Sequence, residues 1–168
     1  RQDYSVQNRR PQGGVATYVK KSFRVITELH CKGVNLQYQC LVLSCRMNPS
    51  KRLLIILLYV PPNTQTMLFF QQLDRLFSHT PTDAAPTIIC GDFNMKPTDP
   101  KSKSLNGLIR HHGFIDYSQS PTHRKGGSLD RIFINKYFDE SEITSIIPVH
   151  YSDHFHIHMA VPWMKLFS

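Results

Sequence analysis

The chain has 168 residues, 40% hydrophobic and 19% charged, which is the composition of a folded domain and excludes a disordered tail. Its longest apolar run, residues 53–60, falls well short of the roughly 20 residues that span a bilayer, which excludes a membrane-spanning helix. The formal net charge is +8, and all of the excess lies in residues 1–60, with ten Lys/Arg against two Asp/Glu, while residues 61–168 carry ten of each. A basic balance favours a polyanionic partner such as nucleic acid or an acidic membrane surface, and solubility explains it about as well.

Residues 14–19 follow a Pro-Gln-Gly-Gly turn signal and read as a strand. Residues 35–46 alternate, with Leu36, Tyr38, Cys40, Val42 and Ser44 on one side and Gln37, Gln39, Leu41 and Leu43 on the other. Residues 53–60 are apolar on both sides, as in a central strand covered on both faces, and residues 48–51 form a hairpin-type turn before it. Asn63 or Thr64 offers a cap for a helix in which Phe69, Leu73, Leu76 and Phe77 recur at helical spacing and which stops before Thr80-Pro81. A short buried strand is expected at 86–90 and a second helix at 102–112, with Leu105, Leu108 and Ile109 inward and Gly113 just past its end. Residues 129–135 and 155–161 complete the strands. The pattern is α+β, sheets with helices outside, in a single domain.

Four cysteines are present, Cys31, Cys40, Cys45 and Cys90, with no C-x-x-C pair. A zinc ribbon is therefore not expected, and a reducing, intracellular compartment is. The chain opens on Arg-Gln-Asp-Tyr-Ser, without Met or a signal peptide, as an excised domain would.

Three polar clusters sit at strand ends, where a rigid scaffold hands polar groups to solvent. The first is Gly91-Asp92-Phe93-Asn94, after the apolar 87–90 stretch. Asp there can bind a hard cation or hold a water, although an Asp/Asn turn closing a strand is an equal reading. The second is Gly126-Gly127-Ser128-Leu129-Asp130-Arg131-Ile132-Phe133. Its Asp130 needs a His or Arg partner if buried. The third is Ser152-Asp153-His154. Together they supply the acids and the His needed for metal-assisted attack on a phosphoester.

In this order and spacing the three clusters resemble the closing motifs of the endonuclease/exonuclease/phosphatase superfamily, which includes DNase I-like nucleases. Gly13-Gly14-Val15-Ala16 and Tyr59-Val60-Pro61-Pro62-Asn63 are similar to the endonuclease domains of non-LTR (LINE-type) retrotransposons in particular. The resemblance implies a four-layered α/β/β/α sandwich of two mostly antiparallel sheets. It implies a Mg²⁺-dependent (or Mn²⁺-dependent) enzyme that nicks DNA in the nucleus, with no small-molecule cofactor, and a reverse transcriptase elsewhere in a full-length parent. Carried over by position, Asp92 would orient or deprotonate water and Asn94 would hydrogen-bond the scissile phosphate and the water. His154 would contact the phosphate and be oriented by Asp130, and Tyr59 would donate its hydroxyl to a phosphate oxygen or the leaving group. Asp153 would act near the metal, Ser152 would support the His loop, and Thr122 would contact phosphate.

The family also carries an Asn and a metal-binding Glu upstream of the Gly-Gly strand. Asn8 and Glu28 do not match those positions, so the resemblance implies a domain incomplete at its N-terminus, lacking the first strands and impaired in cleavage. Two other classes follow from the residues: an inactive remnant that binds nucleic acid through charge, and a phosphoesterase of the same fold with another substrate. Arg9, Arg10, Lys20, Lys21 and Arg24 form a basic set, but Arg124 and Lys125, beside Asp130, are the better candidates for contacting DNA. His154, His156 and His158 alternate on one strand face, a spacing that can bind zinc but has no evident fourth ligand.

Overall fold

The apolar run at 53–60 becomes the middle of a six-stranded mixed sheet. The computed structural model describes residues 2–4, 12–21, 24–31, 36–46, 48–118, 121–136, 144–161 and 166. In it β3 (Arg24–Cys31), β4 (Gln39–Arg46) and β5 (Arg52–Tyr59) form an antiparallel meander. The next strand, β6 (Thr87–Asp92), runs parallel to β5. Beyond it lie β8 (Asp130–Ile134), antiparallel to β6, and the short edge strand β7 (Ile115–Asp116).

Alternation along these strands sends side chains to two different cores. Toward one face, Cys40, Val42, Ile56, Leu58, Ile89 and Phe133 meet two helices, α1 (Thr66–His79) and α2 (Pro100–His111). The helices contribute Phe69, Leu73, Phe77, Leu105 and Ile109, each at most 2% exposed. Burying such a side chain stabilises the fold by roughly 1.5–3 kcal/mol. Toward the other face lie two hairpins, β1 (Gln2–Tyr4) with β2 (Gln12–Val15), and β9 (Thr144–Ile147) with β10 (His156–Met159). Val15 packs on Leu41, Leu43 and Cys45, while Ile157, Met159 and Val161 pack on Leu53, Ile132 and Ile134. This is the two-sheet sandwich with helices outside that the sequence implies. Of its two helical layers, the described residues contain one.

Several boundaries differ from the sequence pattern for local reasons. The strand expected at 14–19 is Gln12–Val15, because Val15 is the last residue of the β1–β2 ladder. The 35–46 strand starts at Gln39, and both of its faces are buried because sheet and helices cover it from two sides. Neither Asn63 nor Thr64 caps α1: Gln65 occupies the N-cap position without a side-chain capping bond, and the Thr64 hydroxyl donates to the carbonyls of Pro61 and Gln37. Helix α2 begins two residues early, at Pro100, with the Asp99 carboxylate accepting from the Lys101 amide at 2.9 Å. β1, β3, β7 and β9 have no counterpart in the sequence reading. Among the described residues no helix is long and apolar enough to cross a membrane.

Two features fix the strands that carry the polar clusters. Arg131, 5% exposed, points from β8 toward α2, pairs with Asp116, and donates to Ser102 Oγ and Asn106 Oδ1. A buried guanidinium is tolerable only with such a full set of acceptors. Gly91 lies inside β6, not in the turn after it, with φ of 150°. A Cβ there would sit 1.8 Å from the Leu58 carbonyl oxygen of β5. Gly91→Ala is therefore expected to force β5 and β6 apart and to lower stability by at least about 3 kcal/mol. Urea or thermal unfolding of the variant measures this, and a loss below 1 kcal/mol would refute the close approach.

Candidate active site

Three of the expected residues are aligned by strand register. Tyr59 is the Cα partner of Asp92 in the β5–β6 ladder, and Asp92 is the partner of Asp130 in the β6–β8 ladder. Lateral partners in a sheet point to the same face, so the three form one row across neighbouring strands. They share the side of Leu57, Cys90 and Ile132, away from the helices and toward the β9–β10 hairpin.

The turn after β6 shapes the first acid. Phe93 is fully buried in the helix-side core, and its amide donates to the Leu129 carbonyl at 2.9 Å. Asn94 then takes a left-handed conformation, φ 50°, which Asn tolerates better than most residues. Its backbone amide donates to Asp92 Oδ1 at 2.9 Å, and its Nδ2 donates to both Asp92 Oδ2 (3.1 Å) and the Val60 carbonyl (2.8 Å). Both side-chain amide hydrogens are thus engaged, one on Asp92 and one on the Val60 carbonyl. In this geometry Asn94 orients the acid, and only its Oδ1 remains to face a water, in place of the expected donor to phosphate.

The second acid meets His154. Asp130 accepts from His154 Nδ1, which lies 2.9 Å from Oδ2 and 3.2 Å from Oδ1. Nδ1 is thereby committed, leaving Nε2 for a substrate. Ser152 supports this loop as expected, its hydroxyl accepting from the His154 amide at 3.0 Å. Thr122 does not reach the surface: it is fully buried, and its hydroxyl accepts from the amides of Leu129 and Asp130, fixing the start of β8. Asp153 is turned away from the row, its Oδ2 lying 3.2 Å from His123 Nε2. Arg124 and Lys125 are exposed, and Arg124 also donates from Nη2 to the Val149 carbonyl, tying its loop to the loop of His154. His156 and His158 share the exposed face of β10, whereas His154 precedes that strand and turns to Asp130, so the three do not converge on one zinc ion.

His123 is the residue that sequence reasoning missed. It is 9% exposed, forms an isolated antiparallel bridge with His154, and meets that ring edge to face at 5.0 Å between centroids. The Lys125 amide donates to its Nδ1 at 3.1 Å, which places the neutral ring's proton on Nε2, toward Asp153. A His one residue from Thr122 gives little warning of a partner thirty positions away.

Electrostatics set the acids apart. Burial pushes the Asp92 carboxyl up to about 6, and the nearby Asp130 charge pushes the same way, against the Asn94 amide and the two histidines. For His154, burial acts downward, yet the hydrogen bond and charge of Asp130, with the charges of Asp92 and Asp153, carry it above the ordinary histidine value. Asp153 is held below the ordinary carboxyl value by a backbone amide and by His123. One ligand atom each from Asp92, Asp130 and His154 lies within 4.8 Å of the others. Two hard carboxylates at that spacing suit a divalent cation that keeps several of its waters. His123, Asp153 and His154 form a second such group, but the proton placed on His123 Nε2 makes that ring a donor there instead of a ligand.

A two-sheet sandwich with an acid row and an Asp-paired His at its rim is the site of a metal-assisted hydrolase. The chain belongs to the endonuclease/exonuclease/phosphatase family, whose sequence model matches residues 3–154. Members of this family are metal-dependent hydrolases, nucleases and phosphatases among them. Comparison with the curated proteins gives no match. Among solved structures, the endonuclease domain of TRAS1, a telomere-specific non-LTR retrotransposon, is similar at 15% identity and a TM-score of 0.55, over 72% of this chain and 59% of that one. D. rerio TDP2 complexed with single strand DNA product is similar at 14% identity and a TM-score of 0.59, over 82% and 68%. A mannosyl-6-phosphatase of Bacteroides thetaiotaomicron is similar at 14% identity and a TM-score of 0.51, over 83% and 67%. These likenesses concern the fold, and this chain spans 59% of the length of the retrotransposon domain.

Asp92 has its folded-state pKa above its unfolded one, so the folded state binds that proton more tightly. The resulting stability is complete below about pH 4 and is lost as pH rises through about 6. Asp92→Asn removes the buried charge and is expected to raise stability at pH 8 by on the order of 2 kcal/mol, with the gain fading toward pH 4. Thermal unfolding of both proteins across pH measures it, and a destabilised variant at pH 8 would contradict the buried, strained carboxylate.

Proposed function

We propose that this chain acts as a Mg²⁺-dependent DNA endonuclease domain of retrotransposon type, in the nucleus beside a reverse transcriptase in its parent protein. The observation that carries the reading is the convergence of Asp92, Asp130 and His154 at one sheet end, with atoms fit to hold a divalent ion. DNA is favoured as substrate by the basic balance of the chain and by the exposed Arg124 and Lys125 on the loop laced to His154.

Asp92, ionised above about pH 6 and held by Asn94, accepts a proton from the attacking water. His154, oriented by Asp130 through Nδ1, donates from Nε2 to a phosphoryl oxygen as charge builds there. Tyr59, next in the row, supplies a hydroxyl to the same phosphate or to the leaving oxygen. Asp92 and Asp130 would hold a divalent ion, which would supply charge neutralisation at the phosphate.

The expected outcome is nicking of supercoiled plasmid with Mg²⁺ by a domain extended with family strands that carry an Asn and a metal-binding Glu. Asp92→Ala and His154→Ala should each lower the rate a hundredfold or more. Agarose-gel conversion of supercoiled to open-circular DNA reads it out. Equal nicking by the extended domain and its Asp92→Ala variant contradicts the assignment, and plasmid binding without any nicking points to a nucleic-acid-binding remnant.

A further inference from the structure

Tyr151 stands three residues before His154, and its ring is 77% exposed. An exposed tyrosine ordinarily turns its hydroxyl to water. Here the hydroxyl lies 2.6 Å from His156 Nε2, and the two rings meet edge to face at 5.7 Å between centroids. The polar tip is thus tied back to the β9–β10 hairpin while the apolar ring is left in solvent. Its orientation is set in advance, so a partner need not pay to order it. Ile147, the ladder partner of His156 and 49% exposed, extends the apolar surface beside it.

Cations lie along the same loops. The Arg124 side chain holds the Val149 carbonyl and the Arg124 amide holds the Asp153 carbonyl, so the 123–126 loop is fastened on both sides of Tyr151. Arg124 and Lys125 remain exposed there. A fixed aromatic ring flanked by cations, three residues from a His that can hold a phosphoryl oxygen, matches the alternation of base and phosphate in a nucleic-acid strand.

We propose that Tyr151 is a stacking platform for a nucleobase adjoining the phosphate held at His154. Resting on the nucleic-acid reading above, this narrows the substrate to a strand with an unpaired or extruded base at that position. A base offers a flat π-face to Tyr151, which a bare sugar-phosphate chain lacks. Tyr151 then selects substrate through affinity and takes no part in moving protons.

The test is fluorescence anisotropy of this chain with a labelled oligothymidylate and with an abasic deoxyribose-phosphate oligomer of equal length, at low salt without added metal. The wild type should bind the thymidylate about tenfold more tightly than the abasic strand. Tyr151→Ala should bind both alike, and Tyr151→Phe should keep most of the preference because it keeps the ring. Lys125→Ala should weaken both strands equally and reduce the salt dependence. A preference retained in Tyr151→Ala, or absent from the wild type, overturns the stacking proposal while leaving nucleic-acid binding in place. If neither strand binds, the nucleic-acid reading itself fails. Because Tyr151 is exposed, its replacement leaves the core untouched, and circular dichroism of each variant verifies this.

Discussion

Between β5 and β6 the backbones approach so closely that Leu58 and Gly91 leave no room for a side chain, with a Cβ at Gly91 falling 1.8 Å from the Leu58 oxygen. That contact pins a parallel ladder in one register, and the register places Tyr59 beside Asp92. A slip of one residue would send Asp92 into the helix-side core and Phe93 to the opposite face. The antiparallel pairing with β8 extends the same row to Asp130, and Asp130 reaches across to His154. The site is therefore a property of sheet register before it is a property of any loop. Arg131 serves the same end from the other face, since its buried pairing with Asp116 anchors the strand that begins with Asp130.

Holding the acids together has an energetic cost that the rest of the fold offsets. Burial and Asp130 both work against the ionised form of Asp92, leaving it near 6, and the Asn94 amides return only part of what solvent would supply. Asp130 instead accepts from His154 Nδ1 at 2.9 Å. The two carboxylates, one row apart, thus have unlike surroundings. One is raised to about 6 and can take a proton, and the other orients an imidazole. Such division of roles between neighbouring acids is a signature of sites that do chemistry, and it would be wasteful in a purely structural cluster.

Much of this was legible in the sequence. The doubly apolar 53–60 run announced a central strand, helical spacing announced both helices, and the three strand-end clusters named the acids and His154. What escaped has a common cause. β1, β3, β7 and β9 are short or peripheral strands whose partners lie elsewhere in the chain, and local alternation does not report partners. The roles of Asn94 and Thr122 depended on which backbone atoms came within reach: Val60 for the one, Leu129 and Asp130 for the other. His123 was invisible for the same reason, because its significance lies in a contact with Asp153 and a bridge to His154. Gly91 was read as a turn residue because glycine after an apolar stretch usually is one. Only the neighbouring strand shows that it serves close approach instead.

The claim on which the rest depends is that the sheet register delivers Asp130 to His154. Titration of the His154 imidazole by NMR tests it directly, in the wild type and in Asp130→Asn. The account predicts a midpoint above that of an ordinary histidine in the wild type, because Asp130 stabilises the cation, and a clear downward move in the variant, where the hydrogen bond and charge of Asp130 are lost. An ordinary midpoint that Asp130→Asn leaves unchanged would contradict the pairing, and with it the assembled site.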